Sequence, residues 1–392
     1  MLMSLPVREN PVFVPAEQFM VYVTEECNLR CSYCFVDKQP RHMTLETARL
    51  VVDYCRRGEI SGDRSRLSMN FFGGEPLLRT EMLLQLLPEL KKPSSKRFIL
   101  GATTNGTLAN DQVQRLVEEG QIHLLVSLDG DEASHRFRPK VSGAESWSHL
   151  CKNLRKLVAW APSTMVRMTY HPGSLNLVEK VEASLELGGR WTLLSPVVEA
   201  DWGGHEDELR EECRRLGDWF VREFEAGRTP PLQNHWIWML AHHRSLGRET
   251  RPAKACPLGT QLIAFDTAGN VLPCHHYLYR KTERFGDVRH PGRFPPNRDA
   301  LVHLSRAEIP DCQTCVARSF CGGGCRVVAL EGGYGLNGVH PNHCLLTQTM
   351  MLEKIRVYER LRKHPRFLPT LFSQERIPLI FQEAQSIPQE VS

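Results

Sequence analysis

Between residue 19 and about residue 230 the chain alternates two kinds of apolar spacing. Short runs of mostly apolar, aromatic or β-branched positions predict strands at Phe19–Thr24, Leu67–Phe72, Phe98–Thr103, His123–Leu128, Met165–Tyr170 and Trp191–Pro196. Between them apolar residues recur at helical spacing, which predicts helices near Thr44–Arg57, Thr80–Lys92, Asn110–Glu119, Ser146–Trp160 and Leu175–Leu187, with a sixth at Glu206–Glu225. Repeated βα units join parallel strands through right-handed crossovers. Six of them predict an α/β fold, a partial (βα)6 TIM-like barrel over residues 19–230. Its site is expected at the C-terminal ends of the strands, with one open side where a bulky substrate can enter.

The pattern loosens after residue 230. Thr229-Pro230-Pro231 marks a break, residues 231–254 form a less regular bridging segment, and Trp236 and Trp238 are expected to pack between domains rather than line a groove. Residues 255–346 are rich in Cys, Gly and Pro and poor in periodicity, which predicts a small domain held by metal in place of a large core. Residues 347–392 are expected to form a helix, then a Pro- and Gln-containing tail.

A chain of 392 residues suits two domains, and 41% hydrophobic with 24% charged residues suits a globular fold. A net charge of +4 is too mild to argue for nucleic acid or a membrane surface. No apolar run approaches a bilayer span, and Met1 to Glu9 lack the layout of a signal peptide, so the expected location is cytoplasmic. Thiols stay reduced there, and 13 cysteines then ask for metal rather than disulfides. Ten of them fall in motifs; Cys55, Cys151 and Cys213 stand alone and are expected in the core.

The chemistry concentrates in Cys27-Asn28-Leu29-Arg30-Cys31-Ser32-Tyr33-Cys34, after the first strand. Thiolates are the soft ligands that iron–sulfur clusters select. A [4Fe–4S] cluster has four irons, so three cysteines in a C-x3-C-x2-C loop leave one iron open to another ligand. A zinc loop or three buried cysteines are the competing readings, although zinc knuckles more often use paired C-x2-C halves. The spacing, with an aromatic before the last cysteine, resembles the signature of the radical S-adenosylmethionine (SAM) enzymes. That resemblance implies a [4Fe–4S] cluster on Cys27, Cys31 and Cys34 whose open iron chelates SAM. It also implies reductive cleavage of SAM to a 5′-deoxyadenosyl radical that takes a hydrogen atom from substrate.

Other strand ends carry matching motifs. Phe71-Phe72-Gly73-Gly74-Glu75-Pro76 resembles the family's GGEP segment, which implies Gly73, Gly74 and Glu75 around the SAM amino group. From the residues alone, paired glycines let backbone approach a ligand closely or simply make a turn. Thr103-Thr104-Asn105-Gly106 and Ser127-Leu128-Asp129-Gly130 resemble strand ends lining the SAM pocket in peptide-modifying members. By that resemblance Ser127 hydrogen-bonds SAM, Arg138 pairs with its carboxylate, and Tyr33 and Gly74 add backbone contacts. Arginine suits a carboxylate through its planar two-donor fork. Arg136 competes with Arg138 from two residues away, and a solvated loop charge is the alternative role.

Further on, Cys256-x12-Gly269-x4-Cys274, Cys312-x2-Cys315-x5-Cys321-x3-Cys325 and Cys344 resemble, at all seven cysteines, the SPASM domain of maturases acting on peptides and proteins. The resemblance implies two auxiliary [4Fe–4S] clusters, one on Cys312, Cys315, Cys321 and Cys344, the other on Cys256, Cys274 and Cys325. Some members have an eighth cysteine just before the position of Cys256. Arg251-Pro252-Ala253-Lys254-Ala255 offers none, so an open or exchangeable iron, or a non-cysteine ligand, is expected in the second set. A pair of zinc sites is the competing reading. Sulfatase-maturating members carry an Asp base after the cysteine matched by Cys274 and a Gln before the paired glycines; this chain has His275 and Phe72. Both differences point away from formylglycine formation. Histidine takes a proton near neutral pH, which makes His275 the candidate base, with His276 and Tyr277 behind it. A histidine near a cluster is as often a structural hydrogen-bonder, and the remaining histidines, His242 and His243 among them, read as solvated.

The resemblance therefore implies a radical SAM/SPASM maturase that oxidises, and is expected to crosslink, a ribosomally made precursor peptide, fed by an external electron donor of flavodoxin or ferredoxin type. About 18 residues precede the first strand, so leader recognition is expected from a separate protein, from the open barrel side, or not to be needed. Oxidation without a crosslink and epimerisation are the alternative reactions; epimerisation would need a thiol such as Cys151 or Cys213 at the site. A non-catalytic iron–sulfur electron carrier is the alternative class, against which the GGEP and SAM-pocket residues argue.

Overall fold

Strands β1 (Gln18–Thr24), β2 (Arg66–Gly73), β3 (Arg97–Thr104), β4 (His123–Ser127), β5 (Met165–Tyr170) and β6 (Trp191–Pro196) run parallel, side by side in chain order. The structure, a computed structural model, describes residues 16–144, 146–246, 256–259, 261–280, 283–290, 309–318 and 321–373. Helices α1 (Leu45–Arg56), α2 (Thr80–Lys91), α3 (Asp111–Gly120), α4 (Trp147–Trp160), α5 (Leu177–Glu186) and α6 (Glu206–Glu225) follow the strands in turn. All twelve elements lie within two residues of the bounds the periodicity predicts. Side-chain caps account for two of the helix starts: the Thr44 hydroxyl accepts from Thr47 N at 3.1 Å and Asn110 Oδ1 from Val113 N at 3.0 Å. Strand alternation divides the faces. Val166, Met168 and Tyr170 of β5 enter the main core, while Arg167 and Thr169 take the other face, toward the barrel interior.

The sheet continues past the six. β7 (Leu262–Phe265) pairs parallel with β1, and β8 (Asn270–Leu272) and β9 (Gly286–Asp287) follow antiparallel, giving the order β6-β5-β4-β3-β2-β1-β7-β8-β9. The first strands of the cysteine-rich segment thus share backbone hydrogen bonds with the barrel and satisfy what would otherwise be a bare β1 edge. The β6 edge is covered differently. Thr192 N donates to Pro231 O at 2.7 Å and Asn234 Nδ2 to Leu194 O at 3.0 Å.

The bridging segment is more regular than its sequence suggests, forming α7 (Gln233–Ser245). Gln233, His235, Trp236, Met239 and Leu240 are all buried, so the helix has no broad polar face to give it a period. Trp236 packs on Phe220 and Phe367, its indole N–H donating to Pro230 O at 3.2 Å. Past the short α8 (Arg326–Glu331), α9 (Pro341–Leu361) starts earlier than expected, with proline in its first turn, and packs on α6. The last described helix is α10 (Phe367–Phe372); the Pro- and Gln-containing tail lies outside the described residues.

Several histidines expected in solvent are inside. His135 and His235 are 2% and 0% exposed: His135 Nε2 meets Ser146 Oγ at 2.9 Å, and His235 stacks on Phe220. His243 Nδ1 lies 2.8 Å from the Tyr358 hydroxyl, and the His242 ring packs edge-on against Tyr358. Each fills an interface among helices, which residue type alone does not reveal. Among the described residues no helix is long and apolar enough to cross a membrane.

Candidate active site

The Cys27–Cys34 loop leaves β1 and is held from two sides. On one, Gly74 N donates to Thr24 O at 2.9 Å and Glu75 N to Glu26 O at 2.8 Å. A Cβ at Gly73, whose φ is +136°, would stand 1.9 Å from Thr24 O, and one at Gly74 2.1 Å from Glu26 O. The paired glycines therefore let β2 meet the base of the cysteine loop, a close approach that the sequence reading assigns to a ligand. On the other side Arg30 N donates to Pro139 O at 2.8 Å and Ser32 N to Phe137 O at 3.0 Å. That pairing lays residues 137–139 along the loop and carries Arg138 to Tyr33.

Cys27 is buried; its sulfur accepts from Leu29 N at 3.4 Å and from Asn105 Nδ2 at 3.7 Å. Burial pushes its thiol up to about 11, opposed by the Leu29 N–H, with Glu75, Cys31 and Cys34 adding repulsion. Burial also raises Cys31, against the pull of Arg138. Cys34 is exposed. Amides aimed at sulfur, and thiols crowded enough to repel as anions, are what a polycationic iron centre draws on. Glu75 is fully buried and raised by that burial to about 7. Its oxygens accept from Leu77 N (3.0 Å), Thr104 Oγ1 (2.8 Å) and Asn105 N (2.6 Å), fastening the end of β2 to that of β3.

Asp129, just beyond β4, joins Tyr33 and Arg138. The Tyr33 hydroxyl donates to Asp129 Oδ2, and Arg138 Nη1 donates to that hydroxyl at 3.1 Å while lying 3.7 Å from Asp129 Oδ1. Asp129 Oδ1 also accepts from Thr169 N at 3.1 Å, and Lys180 Nζ donates to the Asp129 carbonyl at 2.7 Å. Arg138 is 4% exposed and its Nε has no partner among the described residues, whereas Arg136 is exposed over the Phe137 ring. Of the two arginines, only Arg138 faces the cysteine loop. Ser127, half-buried on β4, stands in register with Arg167 of β5.

Across the site buried Cys274 lies two residues beyond β8. The next carbonyl, of His275, accepts from the Tyr22 hydroxyl at 2.9 Å. The His275 ring lies 5.5 Å from Phe72 and the His276 ring 4.4 Å from Phe35, the residue after Cys34. The Cys274 turn and the Cys27–Cys34 loop thus meet through an aromatic wall. Burial, then the charges of His276 and Arg167, hold the His275 ring well below the range in which histidine ordinarily takes a proton. Position, with Nδ1 unpartnered among the described residues, is what keeps it a candidate base.

The other thiols fall into two neighbourhoods. Burial raises Cys274, and Cys256 and Cys325 add to it; Cys325 accepts from the Val328 and Val327 amides at the start of α8. Burial pushes Cys344 to about 11, with Cys312, Cys321 and Cys315 as its charged neighbours. Cys315 Sγ accepts from Ala317 N at 3.4 Å and Gln348 Nε2 at 3.5 Å, and Cys321 Sγ from Gly323 N at 3.3 Å. Cys274 thus has Cys256 and Cys325 as neighbours, and Cys344 has Cys312, Cys315 and Cys321. Arg326, absent from the sequence reading, is buried, its charge reaching Cys256 and Cys325 of one set and Cys312 and Cys321 of the other. Among the described residues no three His, Cys, Asp or Glu side chains are close enough to share a single metal ion.

A parallel half-barrel that gathers three thiols, a buried Asp–Arg pair and a glycine seam at its strand ends defines a cofactor-binding α/β protein. Residues 21–181 match the model of the Radical SAM superfamily, and this stretch is a radical SAM domain. Over 332 residues, 80% of each protein, the chain is 25% identical to a serine-type anaerobic sulfatase-maturating enzyme of Klebsiella aerogenes. Another curated relative is matched over only 44% of its length. Among solved structures, anSMEcpe with bound AdoMet and Cp18Cys peptide superposes with a TM-score of 0.72 at 17% identity, covering 88% of this chain and 100% of that one. SuiB of Streptococcus suis, bound to the precursor peptide SuiA, gives 0.60 at 13% identity over 86% and 77%. At these identities the two structures establish a shared fold.

Proposed function

We propose that the protein is a radical SAM/SPASM maturase that oxidises a ribosomally made precursor peptide and closes a crosslink in it. The observation that carries this is the meeting of the Cys27–Cys34 loop with the Cys274 turn across one strand-end site. Support comes from the sulfatase-maturating relative and from the peptides bound in anSMEcpe and SuiB. In this reading Cys27, Cys31 and Cys34 hold a [4Fe–4S] cluster. Cys312, Cys315, Cys321 and Cys344 hold an auxiliary one, and Cys256, Cys274 and Cys325 another with one iron open.

With reductant, the first cluster and bound SAM supply a 5′-deoxyadenosyl radical able to take hydrogen from an unactivated carbon. The chain's own residues supply the setting. Arg138, steadied by Asp129 and Tyr33, binds the SAM carboxylate; Ser127 and the Gly73–Glu75 seam shape the pocket around it. Phe35 and Phe72 keep water from the reacting carbon, and His275 is placed to accept the proton lost as the crosslink closes. Overall the peptide loses two hydrogens, one to 5′-deoxyadenosine and one as a proton. Clusters held by the auxiliary thiols would take up the electron left on the peptide, with SAM as the net oxidant leaving as methionine and 5′-deoxyadenosine. Phe72 and His275 replace the Gln and Asp of the formylglycine-forming pattern, which favours a crosslink over that product. A flavodoxin- or ferredoxin-type donor and a separate leader-recognition protein complete the proposed cytoplasmic system.

The test is anaerobic co-expression with a short peptide encoded beside the protein. Loss of two hydrogens from the peptide, abolished when Cys27, Cys31 and Cys34 are replaced by Ala, is expected. Unchanged mass with deuterium uptake from heavy water would mean epimerisation, and no change of either kind would overturn the peptide reading.

A further inference from the structure

Arg167 is a charge in a strand whose flanking residues are apolar. Its Nε donates to Ser195 Oγ of β6 at 3.1 Å; among the described residues its two terminal nitrogens have no hydrogen-bond partner and no carboxylate pairs with it. Its charge reaches Tyr33, Arg138 and Asp129 on one side and both His275 and His276 on the other. The guanidinium therefore lies between the SAM-side group and the Cys274 turn. Asp129, the acid whose charge reaches it, is already engaged by Tyr33, Arg138 and Thr169. Burial and the neighbouring Arg138 lower the Arg167 pKa, against the opposing pull of Tyr33 and Asp129. Arg167 is half-buried, and a guanidinium left there with open donors is completed by an anion, for which its flat fork matches a carboxylate. His276, which the Arg167 charge reaches, packs on Phe35, and Phe35 on Phe72, a run of rings that offers apolar surface to the stem of a side chain.

We propose that Arg167, held by Ser195, anchors a subsite for a carboxylate of the substrate peptide at the reacting position, from an Asp or Glu side chain or from the chain's C terminus. The subsite rests on the peptide reading above. It makes Arg167 a specificity determinant, leaving the SAM carboxylate to Arg138.

The probe is a set of heptapeptide pools, capped at both ends and random except for a central Asp, Glu, Asn, Gln or Leu, with one further Leu pool left as the free C-terminal acid. Each is equilibrated with the iron-reconstituted, SAM-loaded protein, and the retained fraction is read by mass spectrometry after ultrafiltration. At least one acid pool should be retained about tenfold over its neutral counterpart, the scale of a charge-assisted hydrogen-bond pair, and whichever acid wins identifies the source. Arg167→Gln should abolish that preference, Arg167→Lys should keep part of it, and Ser195→Ala, which leaves the charge in place, should weaken it. Iron content and thermal midpoint report whether each variant is folded. No acid preference in the unaltered protein, or a preference that survives Arg167→Gln, would overturn the subsite. So would a loss of labelled-SAM binding in Arg167→Gln with the peptide preference intact, which would assign the residue to SAM. Retention requires no turnover, so acid binding without 5′-deoxyadenosine formation would sink the maturase reading while sparing the subsite. A peptide mass change without acid preference would do the reverse.

Discussion

Asp129 decides how firmly Arg138 is presented. The carboxylate accepts from Tyr33 and the Thr169 amide while facing Arg138, three contacts made by a residue that is 2% exposed. Asp129→Asn keeps the shape but removes the charge, leaving Arg138 and Arg167 to repel each other unopposed. SAM binding, followed by equilibrium dialysis of labelled SAM, is expected to weaken about tenfold with iron content unchanged. Gly74 makes a different demand. Gly74→Ala puts a methyl group 2.1 Å from the Glu26 carbonyl, backbone that cannot swing aside. A cost of about 1–3 kcal/mol is expected, with iron lost from the Cys27 set first, measured by thermal midpoint and by iron per chain. Sequence identified Gly74 and Arg138 by motif but not by reason. The neighbour that collides with a Cβ at Gly74 lies 48 positions back in the chain, at Glu26, where no local pattern points to it. Arg167 carried a local signal, one charge inside Met165–Tyr170, that the motifs overshadowed.

At the scale of elements, strands and helices were legible wherever one face is wet, because burial on one side imposes a period of two or 3.6. α7 was not legible, being covered by β6 on one side and α9 on another. The joining of β7 to β1 was equally hidden, since pairing partners some 240 residues apart leave no mark on periodicity. The interface of α7 with α9 also holds a testable charge. Lys354 of α9 is buried with its ammonium 5.2 Å above the Trp238 ring, and burial lowers its pKa to about 7, against the smaller opposing effect of Cys213. The folded pKa lies below the unfolded one, so between about pH 7 and 10.5 the unfolded chain binds the extra proton and stability rises with pH. Lys354→Met should remove that rise and stabilise the protein at pH 7, by on the order of 3 kcal/mol. Urea midpoints of both proteins from pH 7 to 10 would check it; parallel curves would show that Lys354 is not the titrating group.

On the scale of the whole molecule, the cysteine-rich segment is fastened to the barrel at both ends. β7 continues the sheet at β1, and α9, which carries Cys344, is pinned to α6 where Arg356 meets Asp218 at 2.7 Å. Between these anchors Val327, Leu330 and Leu336 join the main core, whereas around residues 309–318 Ile309 and Cys312 share only a small separate cluster with Val339. If the proposed cluster is held there, a stretch with so little to bury depends on that metal for order. Removing iron anaerobically with a chelator should therefore loosen this stretch while the barrel persists. Hydrogen exchange at residues 309–318 is expected to rise by at least about tenfold, while amides of β2 to β5, buried in the main core, keep their protection. Replacing Cys312 and Cys315 by Ala should produce the same local pattern and lower bound iron by about four per chain, one cluster's worth. Equal loss of protection in β2 to β5 would mean that the clusters hold up the barrel as well. Unchanged exchange at residues 309–318 would mean that the thiols pack there without metal, and the assignment of Cys312, Cys315, Cys321 and Cys344 to a cluster would fall.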